Sequence, residues 1–180
     1  MGRHKIQLVS HPQTPPTTVK GIEVEWNPSD ESWLGEEDGN RLIKFVVKGA
    51  ADLLLPEAHA PERADGLWKT TCFELFIRNG PGGGYLEFNF SPSGQWAAYA
   101  FDSYRNGMRD YPFPAPNITG ALEGNRYVLR ANVDASINLP ANGTYNLSAV
   151  IEERGGRKSY WAVAHPPGPP DFHNEACFIA

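Results

Sequence analysis

Proline and glycine interrupt this chain at short intervals, 16 and 18 of them in 180 residues, and this punctuation limits what it can fold into. No window of about a dozen residues carries an apolar stripe at helical spacing. The best short helical stretch, Ala50–Leu55, is stopped by Pro56. Between the breakers lie short runs that alternate apolar and polar residues or are rich in β-branched and aromatic ones, the signature of strands. The runs predict strands at Lys5–Val9, Val19–Trp26, Arg41–Val47, Thr70–Arg78, Tyr85–Phe90, Gln95–Phe101, Arg126–Val133, Tyr145–Glu152, Ser159–Ala164 and Ala176–Ile179. Pro56–Asp65 and Tyr111–Pro116 read as loops, and His165–His173 as a stiff proline-rich connector. Without crossover helices a parallel sheet has no connections. The expected architecture is therefore all-β: a single domain over residues 1–180, an antiparallel two-sheet β-sandwich, jelly-roll-like, of about ten strands.

The stretch YLEFNFSPSGQWAAYAFDSYRNGM, Tyr85 to Met108, fixes a register. Ser91-Pro92-Ser93-Gly94 suits a three-residue hairpin loop with Gly94 in the left-handed conformation. Phe90 then lies opposite Trp96, Asn89 opposite Ala97, Phe88 opposite Ala98 and Glu87 opposite Tyr99. One face carries Leu86, Phe88, Phe90, Trp96, Ala98 and Ala100, a core surface with large residues against small ones. The other carries Tyr85, Glu87, Asn89, Gln95, Tyr99 and Phe101, expected to face a groove or solvent. The preceding KTTCFELFIR run repeats the pattern, with Cys72, Glu74 and Phe76 on the second side. Carboxylate and amide groups interleaved with aromatic rings suit a sugar, whose hydroxyls need polar partners and whose C–H faces stack on rings. A plain solvated sheet face is the alternative.

Net charge is −5 and no Lys/Arg-rich run occurs, so the basic footprint of a nucleic-acid binder is missing. No stretch approaches the ~18 apolar residues of a membrane span, and the N-terminus lacks the apolar core of a signal peptide; the expectation is a cytoplasmic protein. Cys72 and Cys177 are too few for a disulfide framework and are expected as buried free thiols. The glycine-rich GPGGG is followed by a strand rather than by Lys-Ser/Thr and a helix, so no phosphate loop is present.

The blocks GLWKTTCFELFI, YLEFNFSPSGQWAAYAFDSYRNGM and SYWAVAHPPGPPDFHNEACF resemble the DOMON-like proteins of bacteria, which are related to family 9 carbohydrate-binding modules. The resemblance spans Leu8 to Phe178. It implies an antiparallel β-sandwich that binds sugars or haem without being a hydrolase, with Glu74 after Trp68 and the Pro92-x-Gly94 turn at matching places. In the family 9 modules two tryptophans sandwich the sugar, which makes Trp68 and Trp161 the candidates here. Haem-binding relatives use Met with His or Lys; the internal Met108 lies between Gly107 and Arg109 in a polar loop, and no haem or other cofactor is expected.

Beyond the strands, Asp102, Tyr104 and Arg105 are candidates for one rim of the site. His165, Asp171 and His173 of the tail are candidates for another. By type the tail residues are also metal ligands, but their spacing matches no tight ligand motif, and no metal is expected. Glu74 and Glu87 have the chemistry of a glycosidase pair. The reading chosen is a non-catalytic domain binding a small molecule, a carbohydrate or sugar-containing metabolite, through Trp68, Glu74, Glu87, Asn89, Gln95, Tyr99, Asp102, Tyr104, Arg105, Trp161, His165, Asp171 and His173. The alternatives are a structural or protein-interaction β-sandwich, then a glycoside-processing enzyme or a haem-binding electron-transfer domain.

Overall fold

A computed structural model describes residues 5–26, 41–78, 80, 82–134 and 143–179. The glycine-rich GPGGG segment before Tyr85 lies partly outside these, since Pro81 is not among them. Eleven strands follow in chain order: β1 Lys5–Ser10, β2 Gly21–Glu25, β3 Arg41–Lys48, β4 Cys72–Arg78, β5 Tyr85–Phe90, β6 Trp96–Phe101, β7 Arg109–Asp110, β8 Asn117–Glu123, β9 Arg126–Val133, β10 Thr144–Glu153 and β11 Arg157–Ala162. The other regular elements among the described residues are short 3-10 turns, including Ala50–Asp52, Leu67–Lys69 and Glu175–Cys177.

All strand pairs are antiparallel, and they form one sheet in the order β7-β6-β5-β4-β10-β11-β1-β2-β3-β9-β8. The two layers expected from sequence are thus wings of one curled sheet. The joint is β1, whose Lys5–Leu8 pair with β2 and whose Val9 and Ser10 pair with β11. Apolar alternation makes the wings close on each other: Phe45 of β3 lies 4.9 Å from Phe73 of β4, ring to ring, and Tyr127 of β9 stacks at 6.3 Å on Phe73. Phe88, Phe90 and Trp96 are buried in this inner core, as the hairpin register required. Each large side chain so buried contributes about 1.5–3 kcal/mol of transfer free energy.

The hairpin itself has the expected geometry. Phe90 pairs with Trp96 and Glu87 with Tyr99, the Ser91 N–H donates to the Gln95 carbonyl at 3.0 Å, and Gly94 takes φ 93°. Two strands escaped the pattern, β7 and β8. Nearly every residue of β8 is exposed, so nothing imposes alternation on it. It is held by its ladder to β9 from Asn117↔Asn132 to Glu123↔Arg126, and a Cβ at Gly120 would stand 1.9 Å from the Tyr127 hydroxyl. In the other direction, the strand expected at Ala176–Ile179 is the 3-10 turn Glu175–Cys177 followed by one bridge, Ile179 to Tyr145. Asn174 caps that turn by accepting from the Ala176 N–H at 2.9 Å, which ends extended geometry there.

The outer face of β4, β5, β6, β10 and β11 does not meet solvent directly. A second apolar layer covers it, built from Phe76, Tyr85, Tyr99 and Phe101 on the strands, Leu67 before β4, and Phe172 with Phe178 from the tail. The main chain docks both covers: Ala64 donates to the Trp96 carbonyl at 2.9 Å, and the Asn146 amide donates to the Phe172 carbonyl at 3.1 Å.

Candidate functional site

Between the outer sheet face and its covers lies a cavity of about 300 Å³. Strand alternation delivers its floor. Glu74 pairs with Asn89 across β4 and β5, and Glu87 pairs with Phe76, so the two glutamates are diagonal neighbours on one face. They are 3% and 5% exposed. Phe101, Tyr160 and Phe172 supply aromatic wall, while Trp68, Arg105 and Met108 stand at the rim.

Polar contacts below and beside the floor are few. The Ser148 hydroxyl of β10 donates to Glu74 Oε2 at 3.1 Å, and Asn89 Nδ2 donates to Glu87 Oε1 at 2.9 Å. His173 closes one side, its Nδ1 2.7 Å from the Tyr85 hydroxyl and its Nε2 3.7 Å from Glu87 Oε2. The Arg105 N–H donates to that same Tyr85 oxygen at 3.1 Å. Tyr85 has no other acceptor among the described residues, so its proton goes to Nδ1 and the imidazole carries its own on Nε2, aimed at Glu87.

Burial governs the electrostatics. It raises the Glu87 carboxyl to about 7, although the Asn89 hydrogen bond and the Arg105 charge pull the other way. Glu74 is pushed well above the ordinary carboxylate range, first by burial and then by the charge of Glu87, against the Ser148 bond. At neutral pH the pair holds at least one proton, because two anions side by side in a dry site are too costly. His173 is depressed to about 4, first by burial and then by the Arg105 charge, with Asp171 opposing. The imidazole is neutral.

One rim is a tight ionic clasp. Arg105 donates to Asp171 Oδ1 at 2.7 Å and the Tyr104 hydroxyl donates to Oδ2 at 2.5 Å. Burial would raise the Asp171 carboxyl, but these bonds outweigh it and hold it below its usual value. Arg105 adopts φ 52°, the sole non-glycine residue with positive φ among those described, which places its N–H on Tyr85. On the opposite rim the Tyr99 hydroxyl donates to Asp65 Oδ1 at 2.6 Å, and its ring supports Trp68 edge-on at 6.2 Å.

The residues singled out from sequence therefore divide. Trp68, Glu74, Glu87, Arg105 and His173 line the cavity, with Asn89, Tyr99, Tyr104 and Asp171 directly behind them. Four stand elsewhere. Trp161 points to the opposite face, buried in the inner core with its Nε1 donating to Ser159 Oγ at 2.9 Å. Its neighbour Tyr160 takes the cavity side, because Tyr160 pairs with Val150 on the outer face. Gln95 lies at the hairpin end, donating to Glu62 at 3.2 Å. Asp102 is exposed and pairs with Arg109 at 2.6 Å. His165 Nε2 donates to the Val9 carbonyl at 2.8 Å, and the ring packs on His11 beside a separate surface hollow.

Sequence reasoning passed over Phe101, Met108, Val150, Tyr160, Pro170 and Phe172 as lining residues. Phe101 and Tyr160 had a signal, their place in the alternation. Pro170 and Phe172 had none, since they reach the sheet from a tail without periodicity. Among the described residues no group of His, Cys, Asp and Glu is arranged to hold a metal ion, and no helix is long and apolar enough to cross a membrane.

No family model matches the chain, and no curated protein matches it in sequence. Among solved structures, it is similar to a "putative carbohydrate-binding protein" from Bacteroides uniformis, with a TM-score of 0.65 and 14% identity, over 98% of this chain and 84% of that one. The shared feature is the all-β antiparallel fold.

Proposed function

We propose that this chain is a non-catalytic, DOMON-like binding domain whose ligand is a single sugar ring or a small sugar-containing metabolite held in the outer-face cavity. The observation that carries the reading is a floor of buried carboxyls, Glu74 and Glu87, walled by the Phe101, Tyr160 and Phe172 rings. A sugar presents hydroxyl edges and apolar faces together, and such a floor and wall complement both. The cavity, about 300 Å³, is at the lower end of small-molecule sites, which favours one ring over a polymer chain. The named role of the Bacteroides protein agrees with this reading. Isothermal calorimetry and thermal shift against a panel of monosaccharides test it, since a ligand of the native state raises the melting temperature. Binding that Glu87→Gln or Trp68→Ala weakens supports the proposal; no binding at millimolar sugar returns the domain to a structural or protein-interaction role.

The two neighbouring carboxyls, both with raised pKa, also suit glycoside cleavage. Hydrolysis of p-nitrophenyl glycosides, abolished by Glu87→Gln, would replace binding by turnover.

A further inference from the structure

The cavity floor carries negative charge that its surroundings leave without a cation. Glu74 accepts one hydrogen bond, on Oε2 from Ser148, and its Oε1 meets no donor among the described residues. Glu87 accepts one, on Oε1 from Asn89, and His173 Nε2 stands 3.7 Å from its Oε2, beyond hydrogen-bond reach. Both side chains are more than nine-tenths buried and both line the cavity. Other buried side-chain atoms also lack a partner, Trp26 Nε1 and Asn146 Oδ1 among them, but those side chains do not line the cavity, whereas both carboxyls do.

The charged and titratable groups around the pair do not supply the missing cation. Arg105 is held by Asp171 at 2.7 Å. Arg63 is tied to Asp65 and Asp110. Lys158, on the same face of β11 as Tyr160, turns its Nζ to the Lys69 carbonyl. His173 is neutral, and the Cys72, Tyr85 and Tyr99 protons are all held more tightly than usual, chiefly by burial. Facing the floor are instead the rings of Trp68, Phe101, Tyr160 and Phe172, whose π faces attract positive charge.

We infer that the cavity takes a sugar ring carrying a protonated amino group, with the ammonium seated at Glu74 Oε1 and Glu87 Oε2 and the ring against the aromatic wall. This rests on the sugar-binding reading and narrows it to amino sugars. The ammonium replaces a proton that the carboxyl pair holds in the free protein. Binding therefore releases a proton to the buffer, and affinity for the amine rises from pH 5 to pH 7 as the pair ionises more easily.

Calorimetry at pH 7 with glucosamine, glucose, N-acetylglucosamine and cyclohexylamine tests the inference. Glucosamine is expected to bind tighter than glucose by about tenfold or more. N-acetylglucosamine, which has lost the charge, is expected to bind no tighter than glucose. The glucosamine enthalpy should change with the ionisation enthalpy of the buffer in the sense of proton release, and Glu74→Gln should remove the preference. Glucose binding as tightly as glucosamine overturns the inference and leaves the sugar reading standing. Cyclohexylamine binding without any of the three sugars does the reverse, keeping the cation seat and removing the sugar. No binding by any of the four overturns both.

Discussion

Glu153 and Glu74 are both buried on strands that neighbour each other, β10 and β4, yet their carboxyls behave in opposite ways. Glu153 is 0% exposed and accepts from the Thr17 N–H at 2.7 Å, the Thr18 N–H at 2.6 Å, the Thr18 hydroxyl at 2.7 Å and the Val19 N–H at 3.0 Å. Burial alone would raise its pKa, but these donors outweigh it and the carboxyl stays below its ordinary value. Glu74 has one donor for two oxygens, and burial wins. The lesson is that donors, more than depth, decide whether a buried carboxylate is a structural clamp or an unspent binding group. Glu153 ties the segment before β2 to the end of β10; Glu74 and Glu87 leave their capacity open to the cavity.

The largest effect should come from breaking the clamp. Glu153→Gln sets an amide against an array of N–H donors and is expected to lower stability at pH 7 by roughly 2–4 kcal/mol in urea unfolding. A loss below about 0.5 kcal/mol would mean that the four bonds do not distinguish the two sites.

Next comes pH. Glu87 has its native pKa raised from 4.5 to about 7, so the native state holds more protons than the unfolded chain in that interval and stability falls as pH rises through it. His173, lowered from 6.5 to about 4, contributes the opposite slope below pH 6.5. Above pH 6.5 the raised carboxyls dominate, and stability is expected to drop by about 1 kcal/mol by pH 8 from Glu87 alone, with Glu74 adding to the fall. The Glu153 clamp acts in the other window, its contribution being lost only on acidification below the ordinary carboxylate pKa of 4.5. Unfolding free energies that stay level or rise from pH 6.5 to 8 would erase the contrast.

A smaller effect, with reversed sign, is expected of Glu74→Gln. The amide keeps the Ser148 bond and removes the charge, so the variant should gain about 1 kcal/mol at pH 8 and lose the alkaline slope in part, while ligand affinity falls. Destabilisation at pH 8 instead would show a donor for Oε1 and assign Glu74 to the clamp type. Smallest of all is Gln95→Ala. Gln95 shares the sequence row of Glu87 and Asn89 but lies outside the cavity, at the hairpin end. Its loss should change stability by under about 0.5 kcal/mol and sugar affinity by less than about twofold; a larger drop in affinity would extend the site along β6.

Much of this was legible beforehand where one covalent rule governs. Alternation put Phe88, Phe90 and Trp96 on one side and Glu87, Asn89 and Tyr99 on the other, and the Ser91–Gly94 turn set their register. Where that rule has no purchase, reading failed. Edge strand β8 is exposed on both faces and shows no alternation. Trp161 is a candidate by resemblance to modules that sandwich a sugar between two tryptophans, but residue type does not say which face a strand presents; pairing with β10 puts Tyr160 on the cavity side instead. His165 and His173 look alike in a proline-rich tail, yet one lies on the Val9 carbonyl and the other on Tyr85.

By itself, the sequence determined that this chain is built from antiparallel strands with one apolar and one mixed face, because side chains alternate along extended backbone whatever surrounds them. Tertiary structure alone decided that the mixed face is buried. Phe172 and Phe178 from one direction and Leu67 from the other close over it, and that closure takes Glu74 and Glu87 out of water. A carboxylate beside solvent is an ordinary surface group. The same carboxylate under a lid, with fewer donors than oxygens, is a candidate site, and the number of donors around it is set by contacts between residues as distant in sequence as Glu74 and Ser148.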